Sequence, residues 1–419
     1  PATGTSGSSL PSPRSPGNEN HQRRRVLSRR VPVRPRSTHP PVGNPFRSGV
    51  AGTGAVPPVS FHNYQPNVLG FATWQVRLRM NSHGRREVIR AIVGRRPAPR
   101  CGFWLGYPHA DTWPVLHRHF GTKSEDALRR KLGDDIRWLS PQLMDSTYRP
   151  PDGHRLFGWT AAKLSHGQAG PFADCENPAA VEAFDWPSVD YLDFTESLAS
   201  LREAGDAYRA SGFWCPFFHD VMDLFGMEYY MVKMYTHPGV VDAVTERVCR
   251  FYLEANERFF GEAGGLVDGF FFGNDFGTQL DLLLSPELFD RFVLPWFARF
   301  TEQGRRHGYQ VILHSCGSIH RVIGRLIDAG IDCLHPLQAR ARNMDAETLA
   351  RDFKGKIAFL GGVDTQRVLN HGTPEEVKVE VRRVKRILGP DLIISPSHEA
   401  ILPDVPPRNV AAMAEAAAE

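Results

Sequence analysis

From Val267 onward, short apolar runs alternate with longer amphipathic stretches. VDGFFFGND (267–275), QVILHSCG (310–317), IDCLHPLQ (331–338), KIAFLGGVD (356–364) and DLIISPSHEAI (391–401) each read as a buried strand. Each is followed by a segment with apolar residues at helical spacing: SPELFDRFVLPWFARFTEQGRRHG, IHRVIGRLIDAG, DAETLARDFKG, TPEEVKVEVRRVKRILG and PPRNVAAMAEAA. Ser285 predicts the cap of the first of these helices. Upstream, NSHGRREVIRAIVG predicts a helix capped by Asn81 or Ser82, and KSEDALRRKLG (123–133), DFTESLASLREAG and residues 237–264 predict three more. CGFWLGY (101–107) and DIRWLSP predict strands, and SGFWCPFFHDVMDLFG a strand that passes into a helix.

Near-continuous apolar strands separated by amphipathic helices imply a parallel sheet covered on both faces. Such a repeat makes either a doubly wound sheet or a closed (β/α)8 barrel. No GxGxxG loop follows any strand, and the strands end in polar groups: Asn274 and Asp275, His314 and Cys316, Gln338, Asp364, and His398 with Glu399. In a barrel those ends converge on one mouth, where catalytic groups come from several strands. A single (β/α)8 barrel over residues 80–419 is the expectation.

Charge changes how the N-terminal part is read. Residues 1–79 hold eleven Arg, no Lys and one acidic residue, Glu19, for about +10. The whole chain is +4, so residues 80–419 carry the difference, −6. A nucleic-acid function inferred from the total charge would therefore misplace the charge. The stretch before Met80, the first methionine, is rich in Pro, Ser, Gly and Arg without hydrophobic period, so disorder is expected. It reads as a non-native or dispensable leader, with a transit peptide or a binding tail as competing readings. Six scattered Cys without a CxxC, at positions 101, 175, 215, 249, 316 and 333, suit a reducing cytoplasm. No apolar run is long enough for a membrane helix, and a small-molecule enzyme, monomer or homodimer, is expected.

Residues i and i+2 of a strand share a face, so His314 and Cys316 would point together into the mouth if the strand runs through both. A thiolate and an imidazole are two of the three protein ligands of a catalytic zinc, and His398 is the candidate third. The competing reading makes Cys316 a small buried hydrophobe and His314 a hydrogen-bonded core residue. Asp275 is the candidate acid or base, since Ser285 already supplies the helix cap. Asn274, Gln338, Asp364 and Arg340 are candidate substrate contacts, with Arg342 beside Arg340. Gly361 and Gly362 ahead of Asp364 permit a tight turn or close backbone approach.

GNDFGTQLDLLLSPELFDRFVLPWF, HSCGSIHRVIGRLIDAGIDCLHPLQ, FLGGVDTQRVLNHGTPEEV and SHEAILPDVPPRNV, with the start MNSHGRREVIRAIVGRRPAPR, resemble the uroporphyrinogen decarboxylase superfamily. The resemblance implies a (β/α)8 barrel with its site at the mouth. It also implies one of two activities: cofactor-independent decarboxylation of uroporphyrinogen, or zinc-dependent methyl transfer with a corrinoid-carrying partner protein. In the methyltransferases an HxC pair and a later Cys hold zinc. His314 and Cys316 match the pair, and His398 stands where the later Cys would be. The decarboxylase Arg-Gln-Ala-Gly-Arg run has no counterpart in CGFWLGYPHADTW, so methyl transfer ranks above decarboxylation. A non-catalytic tetrapyrrole or corrinoid binder is the third alternative.

Overall fold

The computed structural model describes residues 84–419 apart from 145, 152–158 and 160–167. The expected leader, 1–79, and the expected cap residues Asn81 and Ser82 lie outside the described residues. Eight strands form one parallel sheet: β1 Gly102–Phe103, β2 Ile136–Leu139, β3 Tyr208–Ser211, β4 Gly269–Gly273, β5 Gln310–His314, β6 Cys333–His335, β7 Ala358–Val363 and β8 Leu392–Pro396. The order is β1-β8-β7-β6-β5-β4-β3-β2, so each strand lies beside its sequence neighbours and β8 returns to β1. This is the (β/α)8 barrel.

The seam between β1 and β2 is closed by Asp135, aided by the Asp134 carboxylate, which accepts the Leu105 N–H at 3.3 Å. Asp135 donates its backbone N–H to the Phe103 carbonyl (2.9 Å), and its carboxylate accepts the Phe103 N–H (2.9 Å). The same carboxylate takes both guanidinium arms of Arg100 at 2.7 Å. Burial raises the Asp135 carboxyl above its usual range against the lowering effect of Arg100, so the pair holds the seam at a desolvation cost.

Alternation along β4 shows how the barrel fills. Phe271 points inward, among Trp104, Ile136, Tyr208, Ile312, Cys333, Leu360 and Ile393. Phe270 and Phe272 point outward into the larger core beneath the helices. The helix Arg85–Val93 packs Val88, Ile89, Ile92 and Val93 against the inward set. It is tied down by Asp268, just before β4, whose buried carboxylate takes Arg86 (2.6 Å) and Arg90 (3.0 Å). That helix therefore covers the end of the barrel opposite the chemistry.

Most predicted elements appear where their periodicity placed them. Ser285 caps its helix by accepting from Leu288 N at 3.3 Å, as expected, although the helix carries a π-turn at Phe289–Val293. Three differences matter. The third strand is Tyr208–Ser211, which shares only Ser211 with SGFW, because Gly212 turns the chain at φ +104°. CGFWLGY contributes only two paired residues, Gly102 and Phe103, and beyond them the Leu105 N–H goes to the Asp134 carboxylate rather than to a neighbouring strand. And β5 stops at His314, so Cys316 lies in the following turn rather than on the strand.

Candidate active site at the barrel mouth

His314 ends β5 with its side chain only 4% exposed. Its Nδ1 lies 2.9 Å from His335 Nδ1, and its Nε2 lies 3.1 Å from Asp275 Oδ1 and 3.4 Å from Cys316 Sγ. The Trp214 ring packs over it at 5.1 Å between centroids. Burial disfavours the charged imidazole, but Glu399, Cys316 and Asp275 outweigh it and hold His314 well above the usual histidine range. His335 behind it is pushed well below that range by burial and by the charge on His314 and His398. One neutral ring thus backs one charged ring.

Cys316 reaches the mouth by a turn whose geometry Asp275 sets. The Asp275 carboxylate accepts the Cys316 N–H at 2.8 Å while pairing with His314. Burial raises this carboxyl, yet His314 and the Cys316 N–H pull it far below the ordinary range, so it is ionised at any working pH. Gln338 completes the turn by accepting the Gly317 N–H at 2.6 Å. His314 and Cys316 do come together, through loop hydrogen bonds rather than strand alternation.

His398 and Glu399 arrive from the turn after β8. Glu399 Oε2 lies 3.4 Å from His398 Nδ1 and 3.6 Å from His314 Nδ1. Neither contact has hydrogen-bond geometry, and this buried oxygen has no hydrogen-bond partner. The hydrogen bond with Cys316 raises the His398 imidazole above its ordinary range, more than burial lowers it, with Glu399 adding to the rise.

Ligand atoms within 4.8 Å of one another form two groups, Asp275–His314–Cys316 and Cys316–His398–Glu399. Cys316 is common to both, so the expected zinc trio of His314, Cys316 and His398 is shared between them. A thiolate, imidazoles and carboxylates are the donors zinc takes, and a buried carboxylate oxygen without a partner is what a cation would satisfy. The residues fit a zinc ion.

The remaining candidates have defined places. Asn274 is buried; it accepts from Phe218 N (2.9 Å) and donates to the Cys215 carbonyl (2.9 Å), joining β4 to the helix Phe217–Phe225. Asp364 accepts the backbone N–H groups of Gln366 (2.8 Å) and Arg367 (3.2 Å), and Arg340 stands 4.0 Å from its other oxygen. A cavity of about 370 Å³ opens beside His398, lined by Gln338, Thr365, Gln366, Asn370, Leu402 and Asp404 among others. Sequence reasoning saw Glu399 only as a polar strand end and His335 only as part of the buried strand IDCLHPLQ. The adjacency of Glu399 to His398 in SHEA was the available signal for the first; nothing in the sequence pairs His335 with His314.

The fold and its mouth define a (β/α)8 barrel with a cysteine–histidine–carboxylate centre at the C-terminal ends of its strands. A family model described as uroporphyrinogen decarboxylase matches residues 193–419, and the chain belongs to that family. Comparison with curated protein sequences finds no match. Among solved structures, a methyltransferase from Methanosarcina mazei is similar, with a TM-score of 0.60 and 16% identity over 80% of this chain and 98% of that one. At that identity the likeness is one of fold. Among the described residues, no helix is long and apolar enough to cross a membrane.

Proposed function

We propose that this barrel is a zinc-dependent methyltransferase that moves a methyl group from a methylated donor, such as a protein-borne corrinoid, to a small thiol. The observation that carries the reading is Cys316, a thiol shared by two three-donor groups at the mouth. The Cys316–His398–Glu399 group is the one we assign to the ion. His398 lines the cavity through which an acceptor enters, whereas both nitrogens of the buried His314 ring already have partners. When bound, the ion supplies a Lewis acid that stabilises the ionised form of an acceptor thiol.

The chain's own residues do the positioning. Asp275 and Gln338 hold the backbone on either side of the Cys316–Gly317 bond, which sets the sulfur in place. His314 and Trp214 close the inner wall and exclude water. The acceptor loses its proton to solvent through the open cavity. Its sulfur lone pair then forms the bond to the methyl carbon, and the carbon–donor bond breaks with both electrons left on the donor. Uroporphyrinogen decarboxylation, the activity for which the family is named, fits less well: a polycarboxylate needs clustered cations, and the residues lining this cavity include no Arg or Lys.

Metal analysis and turnover test the reading together. Purified protein should hold zinc, and Cys316→Ala should lose it while remaining folded. Methylcobalamin with a small thiol should be converted to the cob(I)alamin spectrum and a thioether by wild type but not by Cys316→Ala. Full turnover by metal-free protein, or uroporphyrinogen decarboxylation in its place, would refute the proposal.

A further inference from the structure

The cavity beside His398 has a chemistry of its own. Its polar lining consists of Gln338, Thr365, Gln366, Asn370, His398 and Asp404, and its apolar wall of Ala400, Leu402 and Val405. Hydrogen bonds inside the protein have already committed several of its groups. Asn370 donates its Nδ2 to Asp404 Oδ2 at 2.9 Å, which leaves Asn370 Oδ1 and the second Asp404 oxygen at this corner, both acceptors. Thr365 Oγ1 is paired with Ser397 Oγ at 3.3 Å.

Charge points the same way. Asp404 is the carboxylate of the lining and no Arg or Lys lines the cavity; its one basic side chain, His398, is a ligand of the ion in the proposed function. Arg340 is turned toward Asp364 at 4.0 Å and does not line the cavity; nor does Arg367. An acceptor-rich corner with one carboxylate suits a ligand carrying N–H donors and positive charge, and it repels a carboxylate or sulfonate. At about 370 Å³ the space is at the small end for ligand sites. The apolar side chains of Ala400, Leu402 and Val405 suit a ligand with a short methylene stem.

We propose that this cavity selects a small aminothiol, with the ammonium group at Asp404 and Asn370 and the sulfur end toward His398 and Cys316. The assignment rests on the methyl-transfer reading for the role of the sulfur, but the ammonium site itself does not. Asp404 is exposed, so its contribution to selectivity is modest, about five-fold for a single charge of this kind.

The test compares binding of cysteamine, 2-mercaptoethanol and 3-mercaptopropionate to the full-length protein by isothermal titration calorimetry, in wild type and Asp404→Asn. Cysteamine should bind most tightly and 3-mercaptopropionate most weakly. Asp404→Asn should weaken cysteamine about five-fold and leave 2-mercaptoethanol unchanged; this variant separates the ammonium site from differences in thiol acidity. Tightest binding by 3-mercaptopropionate, or an equal effect of Asp404→Asn on cysteamine and 2-mercaptoethanol, would overturn the assignment. The same thiols are then offered methylcobalamin. If the binding order holds but no thiol is methylated, the methyl-transfer reading falls while the ammonium site stands.

Discussion

Single side chains in the helix Phe217–Phe225, which follows β3, carry a pH dependence of stability. Asp220 accepts a hydrogen bond from Tyr252 Oη at 2.7 Å. Desolvation raises its carboxyl from the ordinary 3.8 to about 7, more than the Tyr252 and Trp159 hydrogen bonds lower it. Between those two values the folded state keeps a proton that the unfolded state has released. The stability this group contributes is therefore present at low pH and lost as pH rises toward 7, with no further change above it. Asp220→Asn keeps a hydrogen-bonding side chain there without the charge. It should flatten the fall in melting temperature between pH 4 and 7 and raise stability at pH 8 by roughly 2–3 kcal/mol. A melting curve of unchanged pH dependence would contradict this. His314 also illustrates the scale: its identity was visible in HSCG, but its partnership with a neutral His335 follows from β5 and β6 lying in register, His314 opposite His335.

At the level of elements, two glycines in strands determine how closely the mouth can pack. A Cβ on Gly273, the last residue of β4, would lie 2.1 Å from the Trp214 ring that covers His314. Gly273→Ala should displace that ring and the His314 beneath it, which contacts Cys316 Sγ at 3.4 Å, and so weaken retention of the proposed zinc about ten-fold, as disturbing the support of a ligand does, with the barrel still folded by circular dichroism. Gly361 in β7 sits at φ +132° with the Pro336 carbonyl oxygen 1.9 Å from where its Cβ would be. Backbone cannot give way as a side-chain tip can, so Gly361→Ala should cost about 3 kcal/mol or more, read as a lower denaturation midpoint. GGVD announced a tight turn or a close approach, and the contact with the β6 end realises the second. The strand limits were less legible. SGFW has the composition of a strand, but Gly212 ends the pairing after Ser211; Trp214 then covers His314, while Phe213 packs into the core beneath the helices.

Across the whole molecule, closure depends on polar groups at two places far from the site. Asp135→Ala would leave Arg100 and the Phe103 N–H without their partner at the only seam that strand pairing does not cover. Removing one side of a buried pair typically costs about 3–5 kcal/mol, so the variant should melt well below wild type while Asp242→Ala, at an exposed ion pair with Arg291, stays within about 1 kcal/mol. At the same N-terminal end of the strands, Asp268 ties Arg86 and Arg90 to the barrel floor. Neither device was legible in the sequence, because a lone Asp before a strand looks the same whether it caps a turn or anchors an arginine 182 positions away.

What the sequence determined by itself is what depends on local pattern. Strand and helix alternation follows from apolar periodicity, and the polar ends of β4 to β8 follow from where those apolar runs stop. The family resemblance was carried by contiguous motifs for the same reason. The tertiary structure alone decided which of those polar ends meet. Cys316 reaches the mouth through a turn held by Asp275 and Gln338, it shares His314 with one carboxylate and His398 with another, and Glu399 supplies the partnerless oxygen between them. Barrel closure brings Cys316 to Asp275, 41 positions upstream, and to within 4.8 Å of Glu399, 83 positions downstream, and no local pattern encodes a distance between residues so far apart.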